Sequence, residues 1–288
     1  MLHHVIEIPS AAEGHPAQEL PHDLYLDLPS EGEGPRLNTY FIDVLDQVNP
    51  DQARPVVVIL PGGAYQRLSA REAEPVALQM VARGFHACVL SYSCYPATYP
   101  QSLVEVARTV AYLRANARPL HIDPDRIFLA GFSAGGHLAC NLGCDWQQPW
   151  LAEEVGVPNA LIRPNGLILG YPVITSGEFA NRLSFEKLTG GDGALEQELS
   201  LENHVTPQMP PTFLFHTLED PEVPVENSLL LAGAMRKAGV SFTLHIFPYG
   251  PHGLSLATAD TARVGREGQV QPLMQCWPDL AAAWMRTI

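Results

Sequence analysis

The sequence predicts an α/β fold, a mostly parallel sheet covered by helices on both faces. Three observations carry this prediction. The run PVVVIL at 55–60 is continuously apolar and β-branched, as a strand buried on both faces must be. Further apolar runs recur after it at spacings wide enough for crossover helices. Between two of them, QSLVEVARTVAYLRANA at 101–117 aligns Leu103, Val106, Val110 and Leu113 along one helical face.

In chain order, short strands are expected at 3–8, 22–28 and 38–45, separated by polar, proline-containing turns and suited to an antiparallel edge. Strand 55–60 runs into Pro61, Gly62 and Gly63, and a helix is expected at 71–83. Strand HACVLSY at 86–92, the helix at 101–117, strand IFLAG at 127–131 and a helix from position 133 follow. Later strands are LILGYPV at 167–173, TFLFHTL at 212–218 and SFTLHIF at 241–247, with helices at 224–239 and 272–287. The 174–210 stretch is polar, contains Gly190 and Gly191 and has only a weak helical pattern. It reads as an excursion above the sheet that forms part of a substrate wall. No internal repeat interrupts the alternation, so 1–288 reads as a single domain.

Composition narrows the function classes. With 46% hydrophobic and 17% charged residues the chain is not disordered. Basic residues number 17 against 31 acidic ones, a formal −14, and Lys187 and Lys237 are the lysines. No basic cluster could track a phosphate backbone, and no apolar run approaches the roughly 18 residues of a membrane span, which argues against nucleic acid and membrane as partners. The start MLHHVIEIPSAAEGHP has neither the basic nor the apolar part of a secretory leader. Five cysteines are an odd number for a disulfide scaffold, and Cys140 and Cys144 read as helix packing, so a cytoplasmic location is expected. The terminal His3-His4 pair without an H-E-x-x-H stretch gives no metal site. Monomer and homodimer remain equally open.

Gly131-Phe132-Ser133-Ala134-Gly135 fits G-x-S-x-G, with an apolar strand before it and a helix after. A strand that bends sharply into a helix needs small residues on either side of the bend and exposes the serine hydroxyl at the carboxyl edge of the sheet. The alternative for Ser133 is a helix-capping serine. A base is expected on a late loop, and PYGPHGLSLA after strand 241–247 supplies His252. His245 lies within that strand as a packed or solvent-facing residue, and His137, four after Ser133, has a supporting role. The acid is expected just after strand 212–218, at Asp220, with Glu219 and Glu222 as competitors. The order Ser133, Asp220, His252 is that of α/β-hydrolases, not of chymotrypsin or subtilisin. Donors for a developing oxyanion are expected from the Ala134 N–H and from Gly62 and Gly63, whose loop lacks the patterns of dinucleotide and phosphate sites. No cofactor is expected.

These residues resemble the α/β-hydrolase esterases of the acetyl-esterase and acetylxylan-esterase-like (xylanase-B-like) group. The matching stretches are PGGAYQRLSAREAEPVA at 61–77, GFSAGGHLA at 131–139, SLENHVTPQMPPTFLFHTLEDPEVPVENS at 200–228 and FPYGPHGLSLA at 247–257. The resemblance implies an eight-stranded sheet without a large cap, no cofactor, and hydrolysis of small acyl esters. It implies Ser133 as nucleophile, His252 as base and Asp220 as its orienter. Where the group usually reads PGGG, this chain has Ala64 in the last place. Tyr65, Glu74 and His216 also match the group's pattern. Tyr65 is expected to wall the acyl side of the pocket, Glu74 to be a structural partner near the site, and His216 to lie beneath the acid.

The expected function is therefore a serine carboxylic ester hydrolase acting on short-chain acyl esters, with acetylated sugars or xylo-oligosaccharides as candidate substrates. A small peptidase or amidase on the same fold is the nearest alternative, although such peptidases commonly add a propeller or cap for which 288 residues leave no room. Dienelactone-type hydrolysis normally uses cysteine where this chain has Ser133. A binding protein that retains the fold would be favoured by a missing triad member, and none is missing.

Overall fold

The computed structural model describes residues 5–7, 35–45 and 47–288. Eight strands form one sheet in the order β1-β2-β4-β3-β5-β6-β7-β8. They are β1 (Val5–Glu7), β2 (Arg36–Tyr40), β3 (Arg54–Leu60), β4 (His86–Ser91), β5 (Ile122–Phe132), β6 (Gly166–Gly170), β7 (Thr212–Thr217) and β8 (Phe242–Phe247). β1 pairs antiparallel with β2, and β2 antiparallel with β4. Every later pairing, from β4 across to β8, is parallel. The strand expected at 22–28 lies outside the described residues, as do the ends of the one expected at 3–8.

β3 shows why the sheet must be covered twice. Val56, Val58 and Leu60 enter one apolar cluster, with Leu103, Val106, Val110 and Leu113 of α2 (Gln101–Ala115), while Val57 and Ile59 enter the other. That second cluster holds Val76, Ala77 and Met80 of α1 (Glu74–Ala82) and Trp277 and Met285 of the last helix. Each of the valine, leucine, isoleucine and methionine side chains among these, fully buried, contributes about 1.5–3 kcal/mol relative to exposure. Because β3 lies between β4 and β5, its two neighbours are reached by crossovers on opposite faces, and a crevice opens at the carboxyl ends of these strands.

The remaining helices are α3 (Ala134–Asp145), α4 (Pro149–Val155), α5 (Asn159–Ile162), α6 (Arg182–Thr189), α7 (Gly193–Glu198), α8 (Glu226–Ala238) and α9 (Trp277–Met285). α4 and α5 answer to no periodic pattern, being one turn or two in length. The weak pattern in 174–210 resolves into α6 and α7, each started by a side chain. Asn181 accepts from the Ser184 N–H, and Asp192 from the Ala194 and Leu195 N–H groups. The last helix starts at Trp277, not at 272, and β5 begins five residues earlier than the apolar run, because Ile122 pairs with Arg54 before a register shift.

Candidate active site

β5 ends at Phe132 and α3 begins at Ala134, which leaves Ser133 alone in the bend with φ 53° and ψ −118°. Such a conformation in a non-glycine residue costs on the order of 1–3 kcal/mol and persists only where its surroundings fix it. Here the Ser133 N–H donates to the Gly170 carbonyl at 3.0 Å, and its own carbonyl accepts from the His137 and Val173 N–H groups at 3.1 Å. The small neighbours are a steric necessity. A Cβ on Gly131 would meet the Gly135 carbonyl oxygen at 2.2 Å, and one on Gly135 the Leu60 oxygen at 2.1 Å. The hydroxyl does not cap the helix. It lies 2.7 Å from His252 Nε2 instead.

His252 arrives on the loop after β8, and its Nδ1 is 2.6 Å from Asp220 Oδ2. Since a carboxylate can only accept, Nδ1 carries the proton and Nε2 accepts from the serine hydroxyl. Asp220 follows β7, and its other oxygen accepts from the Glu222 and Val223 N–H groups at 3.0 and 2.9 Å. Of the three acids in that loop, Asp220 alone is buried; Glu219 and Glu222 are exposed. His216 lies beneath the acid as expected, with Nε2 2.9 Å from the Val223 carbonyl and 3.4 Å from Asp220 Oδ2. Burial by itself would raise the Asp220 carboxyl, but hydrogen bonds from His216 and His252 overturn this and hold it well below the carboxylate range. Burial would likewise lower His252, yet the bond and charge of Asp220 lift it above its ordinary value.

The oxyanion donors expected at Gly62 and Gly63 separate. The Gly62 N–H donates to Glu72 Oε2 at 2.8 Å and so is already committed. Gly63, at φ 135°, and Ala134 present N–H groups with no hydrogen-bond partner among the described residues. A Cβ on Gly63 would strike the Arg67 carbonyl oxygen at 2.0 Å. Two expectations need correction. Tyr65 does not wall the pocket. Ala64 and Tyr65 both have positive φ, which turns the Tyr65 side chain into the core, where it is 2% exposed and its hydroxyl lies 2.9 Å from His137 Nδ1. Nor is Glu74 the structural acid, for it is exposed, whereas Glu72 two residues earlier is 3% exposed.

Glu72 is the residue that sequence reasoning missed. Besides holding Gly62, it accepts from the Tyr171 hydroxyl at 2.7 Å, and that hydroxyl accepts from the Ser255 N–H at 2.8 Å. The Tyr171 ring meets His252 edge-on with centroids 5.2 Å apart. His137 has its supporting role: Nε2 donates to the Leu199 carbonyl at 3.0 Å and Nδ1 accepts from Tyr65, while burial lowers its pKa to about 4. His245 packs against Phe213.

A cleft of about 150 Å³ opens over Ser133 and His252, with Leu183 its one large apolar lining residue among the described residues. A larger hollow of about 400 Å³ lies near Asp51 and His121, where β3 and β5 begin, at the opposite end of those strands from Ser133. Among the described residues no group of three or more His, Cys, Asp or Glu could hold a metal ion. No helix of the described residues is long and apolar enough to cross a membrane.

A parallel sheet with serine, histidine and aspartate hydrogen-bonded in this order at its carboxyl edge defines the class of α/β-hydrolases. Comparison with known proteins agrees. The BD-FAE family model matches residues 42–159, and the prolyl oligopeptidase family model residues 103–267. The structure of an acetyl ester-xyloside bifunctional hydrolase from Caldicellulosiruptor lactoaceticus superposes with a TM-score of 0.75 and 38% identity, covering 94% of each chain. A carboxylesterase from Lactobacillus plantarum superposes with a TM-score of 0.78 and 31% identity over 90% of this chain and 95% of that one. Endo-1,4-beta-xylanase B of Butyrivibrio fibrisolvens is 36% identical over 220 residues, 73% of this chain. By these matches the chain belongs to the α/β-hydrolase superfamily, where it falls with the acetyl-esterase and acetylxylan-esterase-like group. It spans 34%, 62% and 41% of the length of the first three curated relatives it matches.

Proposed function

We propose that this protein is a serine carboxylic ester hydrolase acting on short-chain acyl esters. The observation that carries the reading is the continuous hydrogen-bonded line from Ser133 through His252 to Asp220, at 2.7 and 2.6 Å, beside the Gly63 and Ala134 N–H groups, which have no partner among the described residues. As Ser133 Oγ attacks the acyl carbon, its proton passes to His252 Nε2. The developing oxyanion accepts from the Gly63 and Ala134 N–H groups, and Asp220 stabilises the imidazolium. Collapse breaks the ester bond, and His252 gives its proton to the departing alcohol. A water then gives a proton to the same nitrogen as its oxygen bonds to the acyl carbon, and collapse breaks the bond to Ser133 Oγ, which takes the proton back from His252 as the acid leaves.

The small polar cleft supports short acyl groups, in place of the Tyr65 wall expected from the sequence. Acetylated sugars or xylo-oligosaccharides are the natural candidates, supported by the names of the relatives. Five free cysteines support a cytoplasmic setting, which cell fractionation tests. Replacing Ser133 with alanine should cut hydrolysis of 4-nitrophenyl acetate by about 10⁴–10⁶-fold. A fluorophosphonate should label the peptide containing 131–135 in the native chain and not in the variant. Turnover within tenfold of the native protein would overturn the reading. The match to the prolyl oligopeptidase family favours one second reading, amide hydrolysis, for which peptide nitroanilides cleaved faster than acetates would decide.

A further inference from the structure

The cleft gathers three guanidiniums, from Arg67, Arg71 and Arg263, beside Ser133 and His252. Arg71 is fixed in place, with Nη2 donating to the Gly253 carbonyl at 2.8 Å and Nε to the Thr261 carbonyl, which leaves Nη1 unengaged. These two bonds join the loop after β3 to the loop that carries His252, so the three arginines share one wall. Arg71 is half-buried, and that burial lowers its pKa; Tyr171 and Glu72 oppose the shift, and the like charge of Arg263 adds a smaller push downward. Arg67 and Arg263 are exposed, and their side chains make no hydrogen bond or ion pair with any described residue. Two acids also line the cleft: Glu72, engaged by Gly62 and Tyr171, and Glu222, whose backbone carbonyl accepts from Asn181; the charges of both reach His252.

In a chain with 31 acidic residues against 17 basic ones, two arginines beside the nucleophile have no partner among the described residues. The like-charge repulsion between Arg71 and Arg263 is relieved by an anion, and a guanidinium matches a carboxylate with two parallel hydrogen bonds. The overall negative charge opposes this only weakly, because charges farther away than about 10 Å are screened at moderate salt. We propose that the physiological ester carries a carboxylate, received by Arg67, Arg263 and the free Nη1 of Arg71. This rests on the ester-hydrolase reading and names its substrate class. The carboxylate could belong to the acyl part, as in a hemiester of a dicarboxylic acid, or to the alcohol, as in an acetylated uronic acid.

Each source is tested by comparing kcat/KM for a matched pair: mono-4-nitrophenyl glutarate against 4-nitrophenyl valerate, and an acetylated methyl glucuronoside against the acetylated methyl glucoside. The anionic member of one pair should be preferred by about tenfold or more, the scale of one charge-assisted hydrogen bond, and the preference should shrink with added salt. The double variant Arg67→Gln/Arg263→Gln should lower that ratio at least about fivefold, while Arg236→Gln, which removes a charge from α8, should leave it unchanged. Binding of glutarate and methyl glucuronoside to the Ser133→Ala protein, followed by calorimetry with and without the two arginine substitutions, reads the same site without turnover. Equal or better use of the neutral ester in both pairs, or a preference that survives the double variant, would overturn the proposal. Failure to hydrolyse any ester, with arginine-dependent carboxylate binding intact, would sink the hydrolase reading and leave the anion site standing.

Discussion

Two residues in the site, Asp220 and His252, owe their ionisation to each other. Asp220 is held ionised by His216 and His252, and His252 is lifted above its ordinary pKa mainly by Asp220. Ester hydrolysis needs neutral His252, so kcat/KM should rise with pH along a limb centred above 6.5. In Asp220→Asn the lifting partner is gone and burial remains, so the limb should move to lower pH while kcat falls by about 10³–10⁴-fold. A limb that stays in place, measured with chemistry rate-limiting, would count against the assignment. Glu72 acts at one remove from the chemistry. Its two carboxylate oxygens accept separately from Gly62 and Tyr171, whereas a glutamine side chain offers one acceptor oxygen and turns a donor toward the other partner. Glu72→Gln should therefore lose about 1–3 kcal/mol of stability and lower kcat more than it changes KM, because the neighbouring Gly63 N–H loses its aim. Unchanged kcat with a lowered melting temperature would reduce Glu72 to a purely structural role. Its importance was not legible in the sequence, where Glu72 and Glu74 lie two apart in the same stretch and burial alone separates them.

At the level of elements, the parallel strands from β3 to β7 were legible because they are largely buried on both faces and read as apolar runs, whereas β8 at the sheet edge is only half-buried. The bend at Ser133 was legible for a related reason, since backbone contacts near 2 Å allow only glycine on either side. What was not legible is backbone handedness. Nothing in Ala64 or Tyr65 announces a positive φ, and that conformation sends Tyr65 inward to His137 rather than outward to a substrate. His137 in turn holds the Leu199 carbonyl, and His204 holds Asp145 of α3 at 3.0 Å and the Glu198 carbonyl at 2.6 Å. The 174–210 excursion is thereby tied to the nucleophile helix at two points, by long-range contacts that no local pattern encodes. Gly135→Ala tests the bend itself. Its methyl cannot enter without moving β3 or α3, so the variant should lose several kcal/mol of stability, on the scale of severe overpacking, together with nearly all activity. Native activity in a protein of native melting temperature would show that the bend relaxes more easily than these distances imply.

For the whole molecule, the histidines set opposing pH dependences. His86 and His137 are both lowered to about 4, mainly by burial. In each, one ring nitrogen donates to a carbonyl (His121 for His86, Leu199 for His137), so the other must accept, from the Ile42 N–H and the Tyr65 hydroxyl respectively. Protonating His86 would set donor against donor. Because their folded values lie below the unfolded 6.5, the unfolded chain binds more protons as pH falls from 6.5 toward 4, and stability is lost across that window. His252 and His204 have the opposite sign. Their values are raised, so their contribution is complete below 6.5 and is lost as pH rises through the folded values. Asp220, being lowered, contributes fully above the unfolded 3.8 and is lost only in stronger acid. The melting temperature should therefore peak near pH 6.5 and fall on both sides. The acid side should be steeper, at about 1.4 kcal/mol per unit for each buried imidazole and at most on the order of 3 kcal/mol apiece. Replacing His86 with glutamine should flatten the acid limb, since one of the two imidazoles lowered to about 4 is gone, and leave the alkaline limb in place. A melting temperature that stays level from pH 6.5 to 4.5 would mean that these two rings keep enough contact with water to take up a proton at no cost.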